Sequence, residues 1–542
     1  MSKKNLFSIG SIVNAAARHG MALTAMAGMA ATVLLASCGG GTTDTASLGE
    51  QAQGRAEPLA LRHRADDSLA AVLQRHGFTG RIEATLETRL KRKLDSKLAD
   101  LGRLLFFDTA GGLHDDNTCA GCHAPAAGFG DTQSIAIGVD NNRLVGPNRA
   151  GPRNQRRSPS VVNTAFYPKL MWNGRFFAPN GDPFDNSQGF VFPPPEGVSA
   201  FPPNHPTIKQ LLVAQAFIPP TELVEVAGFT GVTDLGQRFL QFNDGHGSPV
   251  PAADASGFRN EPIRQAVLAR LNASAEYRKR FGKLFPEVRA GAPIDFSMFG
   301  RAIAEFEFTL VRANAPIDRY ARGERDALTP SQERGALLFF GKGNCVACHA
   351  VGGQSNQMFS DFEMHVIGVP QLAPAFGVGS SNMVYDGPGE NQDYGLEQIS
   401  GNSNDRYKFR SSPLRNVALQ PAFFHNGAFT RLEDAIRHHL DVNKSARNYD
   451  PRRAGVDRDL RHRLGPIEPV LARLDPLLST PIALSEHEFD DLVAFVRDGL
   501  LDPQARPDSL CREIPKAVPS GRPLLNFEGC DSRDRRDSRD RD

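Results

Sequence analysis

Two short stretches decide how this chain reads: "NTCAGCH" at residues 117–123 and "GNCVACHA" at 343–350. Each places two cysteines three apart and a histidine directly after the second. Three chemistries use paired cysteines. Four cysteines from two pairs could hold zinc, but zinc needs no histidine at that position, and Cys119 and Cys345 lie 226 residues apart, long for one knuckle. A redox dithiol sits at a helix N-terminus in a βαβ context, and no such context surrounds either pair. C-x-x-C-H is the attachment signature of a c-type haem. Its two thiols add to the haem vinyl groups, and the next residue is then placed to give the iron an imidazole. Two copies in one chain predict two covalently bound haems, tethered by Cys119, Cys122, Cys345 and Cys348, with His123 and His349 as iron ligands.

The N-terminus supports this. Lys3, Lys4 and Arg18 precede the apolar run "MALTAMAGMAATVLLA" (21–36), which ends in "LASC" at Cys38. This is a signal peptide over 1–37 followed by a lipobox. It predicts a lipidated Cys38, a flexible tether over 38–65 and a periplasmic location. Asp is absent just after Cys38, which points to the outer membrane. No other apolar run approaches the ~20 residues that span a bilayer, so the lipid is the only expected membrane contact. In that oxidising compartment, Cys511 and Cys530, which flank the last Pro-rich stretch, are expected to pair. The formal net charge of +1 argues against nucleic acid or another polyanion as partner.

The two motifs sit in a repeated module. "SKLADLGRLLFFD" (96–108) and "SQERGALLFFGKGNCVACHA" (331–350) each read as a helix, a polar loop and C-x-x-C-H. This predicts a mostly α chain of two haem domains with long loops, 66–297 and 298–500. The helical stretch 298–312 opens the second, and 198–260, rich in Pro, Gly and polar residues, is an inserted loop region. Residues 501–542 form a C-terminal extension whose end, "DSRDRRDSRDRD", is charged, repetitive and expected to be disordered.

The segments "LGRLLFFD…CAGCH…SPSVVNTAFYPKLMWNGR" and "LLFFGKGNCVACH…PLRNVALQPAFFHNGAFTRLEDAI" resemble the bacterial dihaem cytochrome c peroxidases, including the MauG-type enzymes that oxidise protein side chains. The resemblance runs from about residue 95 to 500. It implies two cytochrome c-like helical domains, an N-terminal haem that meets peroxide and a C-terminal haem that stores or relays electrons.

It also implies roles for particular residues. The second ligand of the C-terminal haem comes from the helix after "FFHNG". That position is Met in classical members and Tyr in MauG, and here it is His439. Its neighbour His438 points about 100° away on a helix. Bis-His ligation by His349 and His439 implies a lower potential than His/Met. In classical members a His in the loop after the first motif blocks the N-terminal iron. In "GDTQSIAIGVDNN" Val139 stands there, which implies an open iron. A distal Glu follows a Pro-rich segment, and "GFVFPPPEG" (189–197) puts Glu196 in that place as the acid–base residue. Trp172, the only tryptophan, stands in a "W-N-G-R" segment that implies electron relay between the haems, with Arg175 near a haem propionate or at the surface. A calcium ion between the domains is also implied, held partly by an Asn before "S-P". Here Arg157 precedes Ser158, a cation unfavourable beside Ca²⁺, with Asn154 the nearest substitute. His365 and Met364 read as packing or hydrogen-bonding residues.

Taken together, the implied activity is reduction of hydrogen peroxide to water, with electrons relayed from the second haem and an external donor, a small cytochrome c or cupredoxin. The alternatives are a MauG-like oxidation of a protein substrate and a non-enzymatic electron-transfer cytochrome. Peroxide reactivity separates the last from the other two.

Overall fold

Residues 96–107 bury an apolar face made by Leu98, Leu101, Leu105 and Phe106, the i, i+3/i+4, i+7 pattern of an amphipathic helix. Asp95 caps its first turn by accepting from the Lys97 and Leu98 amides, which satisfies donors that the helix cannot. The equivalent helix Pro330–Phe340 starts with Pro330 in the first turn and a capping box between Thr329 and Gln332. In the computed structural model, which describes residues 69–233, 243, 245–374 and 391–530, these two helices found two modules of the same design.

Each founding helix crosses a second helix at a glycine. A Cβ on Gly102 would lie 1.8 Å from the carbonyl oxygen of Ala302, and one on Gly335 would lie 2.0 Å from that of Asp491. The crossing partners are Phe296–Phe308 and Glu486–Ala494. The aromatic packing repeats as well. Phe106 meets Phe306 at 5.2 Å and Phe129 at 5.9 Å between ring centroids, while Phe339 meets Phe495 at 5.5 Å and Phe359 at 5.8 Å. Each such ring, fully buried, stabilises the fold by roughly 1.5–3 kcal/mol.

The sequence-based boundaries shift accordingly. The helix Phe296–Phe308, expected to open the second domain, belongs to the core of the first module, with Leu105, Phe106 and Phe129. At the N-terminus, Leu69, Leu73 and Phe78 pack into the core of the second module instead. The segment after residue 500 returns to the first: Leu510, Val518, Leu525 and Phe527 join its core. There Asn526–Phe527 pairs in parallel with Leu144–Val145, and Cys511 and Cys530 form a disulfide, Cα atoms 5.4 Å apart. The described residues all fall within one compact unit.

Residues 198–260 are not simply a loop insertion. Phe201, Ile208, Leu211, Leu212 and Val213 are buried, and the helix Leu211–Gln215 is followed by a π-turn at Leu223–Ala227. The frequent prolines separate short helices here; they do not abolish them. Residues 234–242 and 244 of this stretch lie outside the described residues, as do the expected signal peptide, Cys38, the expected tether and the charged tail. No helix among the described residues is long and apolar enough to cross a membrane.

Candidate functional site: two cavities and the wall between them

Each C-x-x-C-H motif opens on its own cavity. Cys119, Cys122 and His123 line the first, and Cys345, Cys348 and His349 line the second. The four cysteines are thus in two places, and the only cluster of three potential metal donors among the described residues is Cys348, Asp361 and His365. A four-cysteine zinc site is excluded. As free thiols three of them are kept neutral: burial pushes Cys119 and Cys345 up to about 12 and Cys122 to about 11.

The histidines are oriented in one way throughout. His123 Nδ1 lies 2.9 Å from the Pro159 carbonyl, and His349 Nδ1 lies 3.0 Å from that of Phe359. A carbonyl can only accept, so Nδ1 carries the proton and Nε2 keeps its lone pair. This is the second-sphere arrangement that fixes a metal-binding imidazole. Burial lowers both to about 4, so each ring is a neutral ligand at physiological pH.

His439 completes the pattern in the second cavity. Its Nδ1 donates to the Ala435 carbonyl at 2.8 Å, and its ring centroid is 6.2 Å from that of His349. Two imidazoles on opposite faces of one metal, each bound at about 2 Å, have centroids roughly 6.3 Å apart. His438, one residue earlier, cannot ligate. Nε2 must donate to the Ile367 carbonyl at 2.9 Å and Nδ1 then accepts from Ser445 at 3.0 Å, so no nitrogen is left.

In the first cavity, His123 is the only imidazole among the lining residues. Val139 does not approach it. The side chain packs on Phe229, and the amide donates to the Val224 carbonyl at 3.0 Å. Met171 is the one thioether on this wall.

Glu196 is not in the cavity. It is buried, 2.8 Å from Arg264 of the helix Asn260–Ala273, and so serves as a structural ion pair. The carboxyls that line the cavity are Glu222, Glu225 and Glu307. Arg175, expected near a propionate or at the surface, is buried and donates to Glu222 at 3.3 Å. Burial, then the neighbouring Glu222 charge, pushes Glu225 up to about 7, and burial pushes Glu307 to about 8. The signal that could have revealed the first two is "PPTELVE" (219–225): the three-residue spacing puts both carboxyls on one face of a helical turn. The competing "PPPEG" has the same Pro-Pro-x-Glu outline.

Trp172 lines both cavities, as do Tyr167, Arg157, Pro159, Ser160 and Arg410. The indole Nε1 donates to the Arg157 carbonyl at 2.9 Å, which fixes the ring in the shared wall. His365, read as a hydrogen-bonding residue, is held between Asp361 at 3.0 Å and Asp475 at 2.7 Å.

The residues present fit two haem groups. Besides the thiols and oriented imidazoles, buried polar atoms with no protein partner gather on these walls: Gln155 Nε2 and both amide atoms of Asn173 in the first cavity, His425 Nε2 in the second, and Arg157 Nη1 in both. Buried polar groups are rarely left unpaired, so these mark where a partly polar ligand reaches the wall.

Comparison with known proteins agrees. Residues 96–326 match the family model described as di-haem cytochrome c peroxidase. The chain is 27% identical over 352 residues to cytochrome-c peroxidase IdrP1 of Pseudomonas sp. (strain SCT), covering 62% of this chain and 70% of that protein. It is 25% identical over 384 residues to cytochrome c551 peroxidase of Pseudomonas aeruginosa, covering 70% and 81%. The methylamine utilization protein MauG of Methylophilus methylotrophus is 23% identical over 352 residues, covering 65% and 74%. With two C-x-x-C-H motifs, two oriented histidines and a shared wall already in view, these matches show that the chain is similar to the di-haem cytochrome c peroxidases, which are oxidoreductases.

Proposed function

We propose that the chain is a periplasmic, lipid-anchored di-haem peroxidase that reduces hydrogen peroxide to water. The observation that carries this reading is the contrast between the cavities: the second presents two facing imidazoles, the first presents one imidazole and a set of carboxyls. Haem bound at both motifs would supply iron for peroxide binding and for one-electron transfer.

The protein's own groups supply the rest. Glu222, held by Arg175, is the base that takes a proton from peroxide. Glu225, raised to about 7 by burial and the neighbouring Glu222 charge, is the group that can return a proton to the departing oxygen. Trp172 bridges the cavities and is placed to pass electrons between them. His349 and His439 would both hold the iron at the second site, so peroxide would be met at the first. The electrons come from an external donor, a small cytochrome c or cupredoxin. The signal peptide and Cys38 support the periplasmic, lipid-anchored location, with the outer membrane indicated by the residues after Cys38. At the position where the resemblance implied a calcium ligand, the buried Arg157 guanidinium argues against a calcium ion.

A MauG-like oxidation of a partner protein is the second reading. It is favoured by the lack, among the described residues, of a second histidine lining the first cavity and of a methionine lining the second. One titration tests both readings against a reductively activated peroxidase. Stoichiometric peroxide added to the fully ferric holoprotein should change the haem spectrum promptly, without reductant. A spectrum that stays unchanged until one haem is reduced would overturn the open first site. Turnover with a small cytochrome c donor then separates the peroxidase from the protein-oxidising enzyme.

A further inference from the structure

The wall between the cavities holds more positive charge than it pairs. Arg157 and Arg410 line both cavities and are 3% and 4% exposed. Arg157 Nη2 donates to the Asp131 carbonyl and to Gln420 Oε1, both at 3.0 Å and both uncharged, while Nη1 has no partner. Arg410 donates from Nε to the Met171 carbonyl and from Nη1 to that of Ser411, again at 3.0 Å. Neither is ion-paired among the described residues. Their neighbours show what pairing looks like: Arg156 grips Asp393 at 2.6 Å, and Arg415 grips Asp318 at 2.7 and 2.8 Å. The charge of Asp131 acts on Arg157 without forming an ion pair with it: the carboxylate accepts from the amides of Gln133 and Ser158.

A buried guanidinium without a counter-charge costs several kcal/mol, so the wall calls for an anion. A guanidinium offers its planar fork to a carboxylate in particular. The backbone of Arg157 is tied down on both sides: its amide donates to the His425 carbonyl at 2.9 Å, and its carbonyl accepts from Trp172.

We propose that Arg157 is a positioning residue shared by the two sites. Its free Nη1 arm binds a carboxylate of a haem, its charge acts on both irons, and the same residue fixes Trp172 between them. This rests on the reading that each cavity holds a haem.

The test is a spectroelectrochemical titration of the full-length holoprotein, with the two haems separated by their EPR signals. Removing a positive charge makes each iron harder to reduce. Arg157→Gln should therefore move both midpoint potentials negative, by several-fold in each reduction equilibrium. Arg157→Lys, which keeps the charge and loses the fork, should move them much less. Arg153→Gln, the same loss of charge at a residue paired with Asp459 outside the cavities, should move neither. A loaded Arg157→Gln protein with unchanged potentials, or with only one potential moved, would overturn the shared role. If that variant does not accumulate, resonance Raman decides on Arg157→Lys: a shifted haem-propionate bending band supports the proposal, and a wild-type band overturns it. Fewer than two haems per wild-type chain by pyridine haemochromogen would instead sink the haem reading beneath it.

Discussion

The two modules share one side of their sites and differ on the other. On the shared side, a glycine-crossed helix carries a phenylalanine to the ligating ring: Phe106 lies 6.4 Å from His123 at 48°, and Phe339 lies 6.5 Å from His349 at 46°. A backbone carbonyl then fixes each imidazole. On the opposite side, the first cavity meets the residues 211–227 and their carboxyls, whereas the second meets the helix Leu432–Leu440 and His439. Tethering and proximal ligation are properties of the repeat. What each site does is set by the segment laid over its open face.

The largest expected effect tests that division. Glu222→Gln should slow the reaction with peroxide by about 10²- to 10⁴-fold, the usual weight of a general acid–base group, and leave the spectrum of the second haem unchanged. Glu196→Gln, at a carboxylate paired to Arg264 outside the cavity, should leave the rate within about threefold and lower thermal stability instead. Stopped-flow mixing with peroxide measures the first quantity and calorimetry the second. Equal rate losses in the two variants would return Glu196 to the catalytic role.

The repeat itself can be broken at its crossings. Gly102→Ala and Gly335→Ala each drive a methyl into a backbone carbonyl that no rotamer change relieves. Overpacking of that kind costs about 3 kcal/mol, offset by about 1 kcal/mol of helix propensity. Denaturant unfolding should show a net loss of about 2 kcal/mol for each. If only one substitution destabilises, the two crossings are not equivalent and the structural repeat is superficial.

A smaller, one-sided change is expected at the second cavity. His439→Met replaces an imidazole by a thioether and should raise the potential of that haem alone. His438→Gln should leave both potentials in place and lower stability, because it removes the bond to the Ile367 carbonyl or to Ser445. Optical redox titration reads both. A potential that follows His438 would reverse the assignment of the ligand.

What the sequence made legible follows the reach of each interaction. The C-x-x-C-H motifs are local in the sequence, so four cysteines and two histidines could be named from spacing alone. His439 was named through the resemblance, by the place it takes in the helix after "FFHNG". Glu196 was named through the resemblance and Glu222 was not considered, although both follow a Pro-Pro-x pattern; only the fold shows which segment lines the cavity. The partner of the helix Phe296–Phe308 lies about 190 residues upstream, in 96–107. Nothing local to either helix announces that crossing, and the domain boundary was misplaced for the same reason. The departures of the chain ends, residues 69–78 into the second module and 501–530 onto the first, are equally non-local.

The smallest expected effect is also the most specific to the first cavity. Glu225 is raised from an ordinary 4.5 to about 7, first by burial and then by the charge on Glu222, against a smaller lowering by Arg175. In the native state it therefore holds a proton that the unfolded chain has released between pH 4.5 and 7. Over that window stability falls as pH rises, at up to about 1.4 kcal/mol per pH unit, and above 7 the loss is complete. Glu225→Gln mimics the protonated form, so it should match the wild type near pH 4 and exceed it at pH 8. In the proposed mechanism the same proton is the one offered to the departing oxygen. The peroxide rate should accordingly fall as pH rises through about 7 in the wild type, and that limb should vanish in Glu225→Gln. Because Glu222 and Glu225 interact, the inflection belongs to the pair. A limb that survives in the variant would assign it to Glu307, raised to about 8 on the same wall, and would move the proton donor from the turn at 223–227 to the helix Phe296–Phe308.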